Sequence, residues 1–251
     1  MVRGFYISGT GMMLQRRMME NVTNNITNAD TTGYKKDHLV SHTFDDVLIQ
    51  RIHDTNVVGQ TRFVGPLNFG TQVDQKYTNF TQGGFEQTER TTDLAISGDA
   101  FFVMETPAGE RYSRDGAFFV NNLGFIVDGD GNFLLGRDGR INVGTEDFSV
   151  NESGVVTVDG VQVGAIRLVR FADNGDLRKT GDNLYTTIGA LPQEATEAVV
   201  KQGFLENSNI DIGREMVDMM TIFRAYETNQ KILTMIDETV GKAVNEIARV
   251  R

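Results

Sequence analysis

Residues 208–250 read SNIDIGREMVDMMTIFRAYETNQKILTMIDETVGKAVNEIARV. Ile212, Met219, Tyr226, Leu233, Val240 and Ile247 stand seven apart without a break. Met216, Phe223 and Val244 form part of a second row, which Gln230 and Asp237 interrupt. Apolar residues at this spacing share one stripe of a helix and call for a partner helix. No proline follows Pro192, so nothing in the stretch forces the helix to stop. Ser208 or Asn209 is placed to cap its start, and Asp211 and Glu215 lie near the positive end of its dipole. About 40 residues at 1.5 Å each predict a rod of roughly 60 Å, too long for one small domain to cover.

The opposite end of the chain carries a shorter version of the same pattern. Phe5, Met12, Met19 and Ile26 recur every seven residues. Val22 and Ala29 supply part of a second row, weakened by Ser8 and Gln15. The spacing predicts a helix over residues 3–28. Asn24, Asn25 and Asn28 crowd its end, where helix propensity falls, and Gly33 permits a change of direction.

Between the ends the period changes. Short apolar runs at Phe101–Met104, Phe118–Val120, Phe125–Val127, Phe133–Leu135, Val155–Val158 and Val161–Phe171 are separated by Asp128-Gly129, Asp130-Gly131, Asp138-Gly139, Asp159-Gly160 and Asn174-Gly175. Asp-Gly and Asn-Gly are strong hairpin signals, because a type I′ turn needs positive φ at both central residues. The expected fold class is therefore α+β: paired, coiled-coil-like terminal helices and a central antiparallel β domain. The expected boundaries are 1–33 for the N-terminal helix, 34–74 for an extended connector, 75–205 for the β domain and 206–251 for the C-terminal helix. The connector holds no clear period beyond a short helix or strand near Phe44–Ile52. Yet Phe44, Val47, Leu48, Ile49, Phe63, Leu67 and Phe69 are too apolar for a free linker, so it is expected to dock on adjacent subunits, with packing back on its own β domain as the alternative.

Composition narrows the function. The net charge of −10 argues against a nucleic-acid partner, which needs a basic face to neutralise phosphates. Residues 1–33 sum to +1 and residues 208–251 to −1, so the negative charge sits in 34–207. Near-neutral ends and an acidic middle suit ends that become buried and a middle that faces solvent. With no cysteine among the 251 residues, disulfides, zinc–thiolate sites and thiol nucleophiles are excluded. No apolar run approaches the ~18 residues of a membrane span, and Gly, Ser, Arg and Gln interrupt the N-terminus where a cleaved signal peptide needs an apolar core.

A search for reactive chemistry finds little. There is no G-x-S-x-G elbow and no phosphate-binding loop, and Gly9-Thr-Gly11 lacks the third glycine and the preceding strand of a dinucleotide site. His38, His42 and His53 cluster in the connector without a convincing further metal ligand. Asp128-Gly-Asp130-Gly-Asn132 opens like a calcium loop, but Phe133 and Gly139 occupy positions that need Gly and Glu; it reads as two successive turns. No catalytic, cofactor, metal or small-molecule site is expected.

Several blocks resemble one family. Asn21-Val-Thr-Asn24-Asn25-Ile-Thr-Asn28 followed by Thr32-Gly33-Tyr34-Lys35-Lys36 is similar to the N-terminal signature of bacterial flagellar rod and hook proteins. Gln82-Gly83, Asp93-Leu-Ala-Ile-Ser-Gly98, Phe101-Phe102-Val103 and Tyr112-Ser-Arg114-Asp115-Gly116-Ala-Phe118 resemble the start of that family's first β domain. Gln202-Gly203-Phe-Leu205-Glu206-Asn-Ser208-Asn209, Glu215-Met-Val217 and Arg224-Ala225-Tyr226-Glu227-x-Asn229-x-Lys231 resemble its C-terminal signature. The blocks come in family order and span almost the whole chain. Two positions depart from the pattern: Ala100 stands for the usual Gly, and Phe223 for a common Gln.

The resemblance implies terminal helices paired in an inner tube, an outer β domain, and assembly with copies of itself and with other axial proteins of the flagellum. It implies export through the flagellum's own channel without a cleaved signal peptide, and a place in the basal body outside the cytoplasmic membrane. The short length and the Met-Val-Arg-Gly-Phe-Tyr opening resemble the proximal rod protein more than the distal one, with a hook-type subunit a further alternative. From other classes, a secreted β-domain adhesin or enzyme and a cytoplasmic coiled-coil scaffold remain as alternatives.

Overall fold

The computed structural model describes residues 2–51 and 62–247. It is α+β: an N-terminal helix α1 (Val2–Thr27), antiparallel strands through the middle, and a C-terminal helix α2 (Ile212–Lys242) that ends in a π-helical turn at Ala243–Ile247. The 31 residues of α2 span roughly 46 Å. The helix starts at Ile212, and neither Ser208 nor Asn209 is its first residue. His53 and Gly59 fall outside the described residues, as do the side chains of Phe63 and Ile247.

The chain divides into two compact units. The helical unit takes the described parts of Met1–Ile26, Asp37–Tyr77 and Ile212–Arg251; the β unit takes Thr27–Lys36 and Thr78–Asp211. The segments of the helical unit hold twelve bases and twelve acids, those of the β unit twelve bases and twenty-two acids. The whole net charge of −10 therefore belongs to the β unit.

The stretch expected as a connector is folded into strands. Strand β1 (Asp37–Thr43), β2 (Val47–Arg51), β3 (Arg62–Leu67) and β4 (Thr71–Thr78) form two nested ladders, β1 with β4 and β2 with β3. The β2–β3 register runs from Val47↔Leu67 to Arg51↔Arg62, with an irregularity after Ile49. Asn68 closes the corner, donating from its side chain to the Phe44 carbonyl. His38 and His42 lie on β1, where four residues apart means one face of a strand rather than one face of a helix.

In the β unit the chain builds a ten-stranded sheet around Phe101–Thr106, which pairs with Gly109–Ser113, Phe133–Gly136 and Leu168–Arg170. Side chains alternate across this central strand. Phe102 and Met104 enter one core with Leu94, Ile126, Leu134 and Ile166, while Phe101 and Val103 enter a second with Tyr112, Phe171 and Tyr185. All four are fully buried, which explains why the run Phe101–Met104 is apolar throughout rather than alternating.

The turns differ in detail from the Asp-Gly expectation. Asp159-Gly160 has positive φ at both residues, as type I′ requires; so does Asp182-Asn183, which no Asp-Gly pattern marked. Asp128–Asn132 is one loop, not two turns. The Asp128 carboxylate accepts from the amides of Asp130 and Asn132, and the Asp128 amide donates to the Asn132 carbonyl. Asn121 and Asn151 head loops with the same bonding, each ending one residue after a glycine with positive φ. A side-chain oxygen here substitutes for a backbone acceptor, which is why Asn and Asp stand at the head.

Two short ladders bring the exit of the β unit beside its entrance. Val199–Gln202 pairs with Leu94–Ser97, and Phe204–Glu206 pairs with Phe85–Gln87.

Candidate assembly surface

The two helices meet at a constant antiparallel register. A Cβ on Gly4 would fall 2.8 Å from Ile236, and one on Gly11 would fall 3.0 Å from the Asn229 amide. Asn25 donates to Glu215 at 3.2 Å. These contacts recur at multiples of seven along both helices, so the small residues of α1 allow a close approach within its first three turns.

The burial pattern of α2 keeps one expected row and moves the other. Met219, Tyr226, Leu233 and Val240 are half-buried. Their partner row is Glu215, Ile222, Asn229, Ile236 and Ala243, one residue before the row expected from Met216, Phe223 and Val244. Those three face outward, with Phe223 49 % and Met216 52 % exposed. Ile212 is exposed as well. On α1, Phe5, Met12, Met19 and Ile26 are half-buried, while Ser8, Leu14, Val22 and Asn25 are the buried residues. The inner seam is thus partly polar and small. Ile212, Met216, Val217, Met220 and Phe223 of α2, and Tyr6, Ile7 and Met13 of α1, remain uncovered. Tyr6, Phe44, Val47 and Phe69 also line an open apolar hollow flanked by Arg3 and Asp45.

Polar residues fix where the helices end. Asn25, 1 % exposed, donates to the Asp37 carbonyl at 3.0 Å and to Glu215, and accepts from the Asp37 amide at 3.1 Å. Asn21 adds a second bond to the Asp37 carbonyl, and Lys76 pairs with the buried Asp37 carboxylate at 2.6 Å. One asparagine therefore ties the end of α1, the start of β1 and the start of α2. Asn24 is exposed. Asn28 accepts from the Thr31 hydroxyl and amide and starts the turn into Gly33.

A second polar cluster lies within the β unit. Lys35, Arg114 and Glu206 are all buried. The Lys35 ammonium reaches Glu206 at 2.5 Å and the Thr81 carbonyl at 3.0 Å. Arg114 approaches the other Glu206 oxygen and Asp99, each at 3.4 Å. Burial pushes the Lys35 ammonium below its ordinary value against the pull of Glu206, and burial likewise lowers Arg114. Burial raises Asp115, which accepts from the Thr32 hydroxyl. Buried charges persist only when paired and bonded in this way. Gly33 sits at φ +64 with its amide bonded to the Glu206 carbonyl at 2.6 Å. Tyr34 lies under Lys179, 3.7 Å from ammonium to ring centre, and Lys179 also donates to the Lys35 carbonyl.

Of the signature residues, Asn25, Gly33, Tyr34, Lys35 and Asn229 thus have local roles, whereas Arg224 and Glu227 are exposed and Ala225 and Tyr226 are half-buried. Glu206 and Arg114 sat inside signature blocks without an expected role, while Asn209 and Glu215 were expected only as a helix cap and a charge near the helix dipole. Among the described residues, no group of three or more His, Cys, Asp or Glu is placed to hold a metal ion, and no helix is long and apolar enough to cross a membrane.

Known proteins match along the whole chain. The family of flagellar basal-body rod proteins matches residues 5–35, the D1 domain of the flagellar hook protein FlgE/F/G matches 95–158, and the C-terminal domain of flagellar basal-body rod FlgEFG proteins matches 201–246. The flagellar basal-body rod protein FlgG of Bacillus subtilis is 32 % identical over 98 % of this chain and 99 % of its own length. The flagellar hook-basal body complex protein FlhO of the same organism is 32 % identical over the full length of both chains. The flagellar basal-body rod protein FlgF of Caulobacter vibrioides is 34 % identical, again over the full length of both. The chain belongs to the flagellar rod and hook family and is a structural rod subunit of the flagellar basal body.

Proposed function

We propose that the subunit assembles head to tail through its terminal helices into a tubular drive shaft that carries torque from the motor towards hook and filament. The observation that carries this reading is the outward apolar face of α2, Met216 to Phe223, which its own chain leaves in water. Burying such a face gains ~25 cal/mol per Å2, and a non-closing contact between unlike surfaces propagates into a helical filament. The inner row, Met219 to Val240 with Ile222 and Ile236, supports a coiled-coil-like pairing of α1 with α2. The exposed Val47, Leu48 and Val64 of the strand ribbon support docking on adjacent subunits, which would stiffen the shaft. The partners are copies of this chain and neighbouring axial proteins, reached after export through the flagellar channel.

Within the rod, the stretch Met-Val-Arg-Gly-Phe-Tyr supports the proximal position. A tag at Leu191, 84 % exposed in the β unit, allows a test by electron cryotomography of basal bodies. The expected density lies on the rod segment nearest the cytoplasmic membrane. Density on the segment nearest the hook would assign the distal position, and density off the axis would overturn the reading.

A further inference from the structure

The chain passes between its two units four times, after residues 26, 36, 77 and 211. Within the β unit, the segments beside these passages are bonded to one another. The Asn209 side chain accepts from the Lys36 amide at 2.7 Å and donates to the Asn79 and Thr81 carbonyls at 2.8 and 3.1 Å. The Asn79 amide returns a bond to the Lys36 carbonyl at 2.8 Å. Glu206 joins the same segments from inside: one carboxylate oxygen takes Lys35 and the Gly83 amide, and its backbone carbonyl takes the Gly33 amide. Asn183 holds the Thr32 carbonyl at 2.7 Å from the sheet side.

We propose that Lys35, Glu206, Arg114 and Asn209 form a collar that fastens the three segments making the four crossings, 27–36, 78–83 and 206–211, to the β unit in the unassembled subunit. A backbone loop carries no sheet ladder of its own, so side chains and single backbone bonds must satisfy its polar groups. Here Lys35, Arg114 and Glu206 are buried and ionic and Asn209 is a half-buried amide, and Lys35, Glu206 and Asn209 each bond to a crossing segment other than their own. Ordering on assembly then stops at the collar: the β unit carries residues 27–36 and 206–211 already folded, and force on a crossing segment reaches the sheet through a fixed attachment. Lys35 and Asn209 act as positioning residues. This holds whether or not the helices are mobile in the free chain.

Hydrogen exchange on the dilute full-length chain tests it. The amides of Gly33, Lys36 and Gly83 are expected to exchange within tenfold of those in Phe101–Thr106; exchange at the rate of an unfolded peptide overturns the collar. Lys35→Met keeps the alkyl stem but removes the cation. It is expected to speed Gly33 and Gly83 at least tenfold while Phe101–Thr106 stays slow, and unchanged rates at both amides overturn the role of the ion triad. If that variant also releases Phe101–Thr106, Asn209→Ala decides. Faster exchange at Lys36 alone supports the collar, and no change there overturns it.

Discussion

Leu233→Asp is expected to abolish assembly while leaving the β unit folded. Leu233 lies in the half-buried row of α2, between Asn229 and Ile236, which stand against Gly11 and Gly4 of α1. A carboxylate there must leave water, take up a proton, or push the helices apart. Each route costs at least about 3 kcal/mol when no partner is within reach. At 1.4 kcal/mol per tenfold, the concentration needed for filament growth rises by roughly a hundredfold, and the cost recurs at every added subunit. Cells carrying the variant should be non-motile, and the purified protein should show the wild-type melting transition of its sheet. Normal motility would mean that the row is not part of an interface.

Gly33→Val is expected to cause a large loss of stability in the β unit. Its φ of +64 costs a side-chain-bearing residue about 1–2 kcal/mol. The added Cβ would also lie 2.4 Å from the Arg114 carbonyl oxygen and 2.6 Å from the Asp115 amide nitrogen, both backbone atoms that cannot yield. The segment must lift, and lifting it strips Lys35 from Glu206 and leaves a buried carboxylate short of its cation. Breaking such a pair costs about 3–5 kcal/mol. For a unit of this size the melting temperature should fall by roughly 10 °C. Gly131→Val provides the comparison, since Gly131 also has positive φ but open space around it, and should lose only a few degrees. Equal losses at both positions would show that backbone strain alone matters and that Gly33 is not clamped.

The sequence made the long helix and the strands of the β unit legible for a physical reason. The row Met219–Val240 repeats with the helix period, and runs such as Val155–Val158 coincide with observed strands because both periods are local. The partner row was misplaced by one residue because the most apolar residues, Met216 and Phe223, point away from α1. The inward positions carry Glu215 and Asn229, whose partners Asn25 and Gly11 lie some 190 to 220 residues away along the chain. A helix with apolar residues on its outer face and polar ones in its seam defeats any reading that assigns the apolar face to its own core.

The strand ribbon was illegible for a different reason. Its ladders lack Asn-Gly turns, and β4 is exposed at most positions, so neither alternation nor turn chemistry marked them. The collar could not be read at all. A lysine and a glutamate 171 residues apart give no local sign that each neutralises the other, and Asn209 looked like a helix cap. Signature glycines fared better: Gly33 was read as a change of direction, and its left-handed backbone together with the Arg114 carbonyl beside the missing Cβ explains why a side chain does not fit.

Hydrogen exchange across Met216–Val244 tests the assembly mechanism most directly, measured once on the dilute subunit and once on assembled filaments. Among the described residues nothing covers the apolar face of α2, and an isolated helix pair with a partly polar seam gains too little burial to offset ~1–2 kcal/mol of ordering per residue. Fast exchange in the dilute subunit and at least hundredfold slower exchange in the filament are the predicted results. Strong protection of the same amides in the dilute subunit would contradict the account, because the helices would then be ordered before any neighbour covered them.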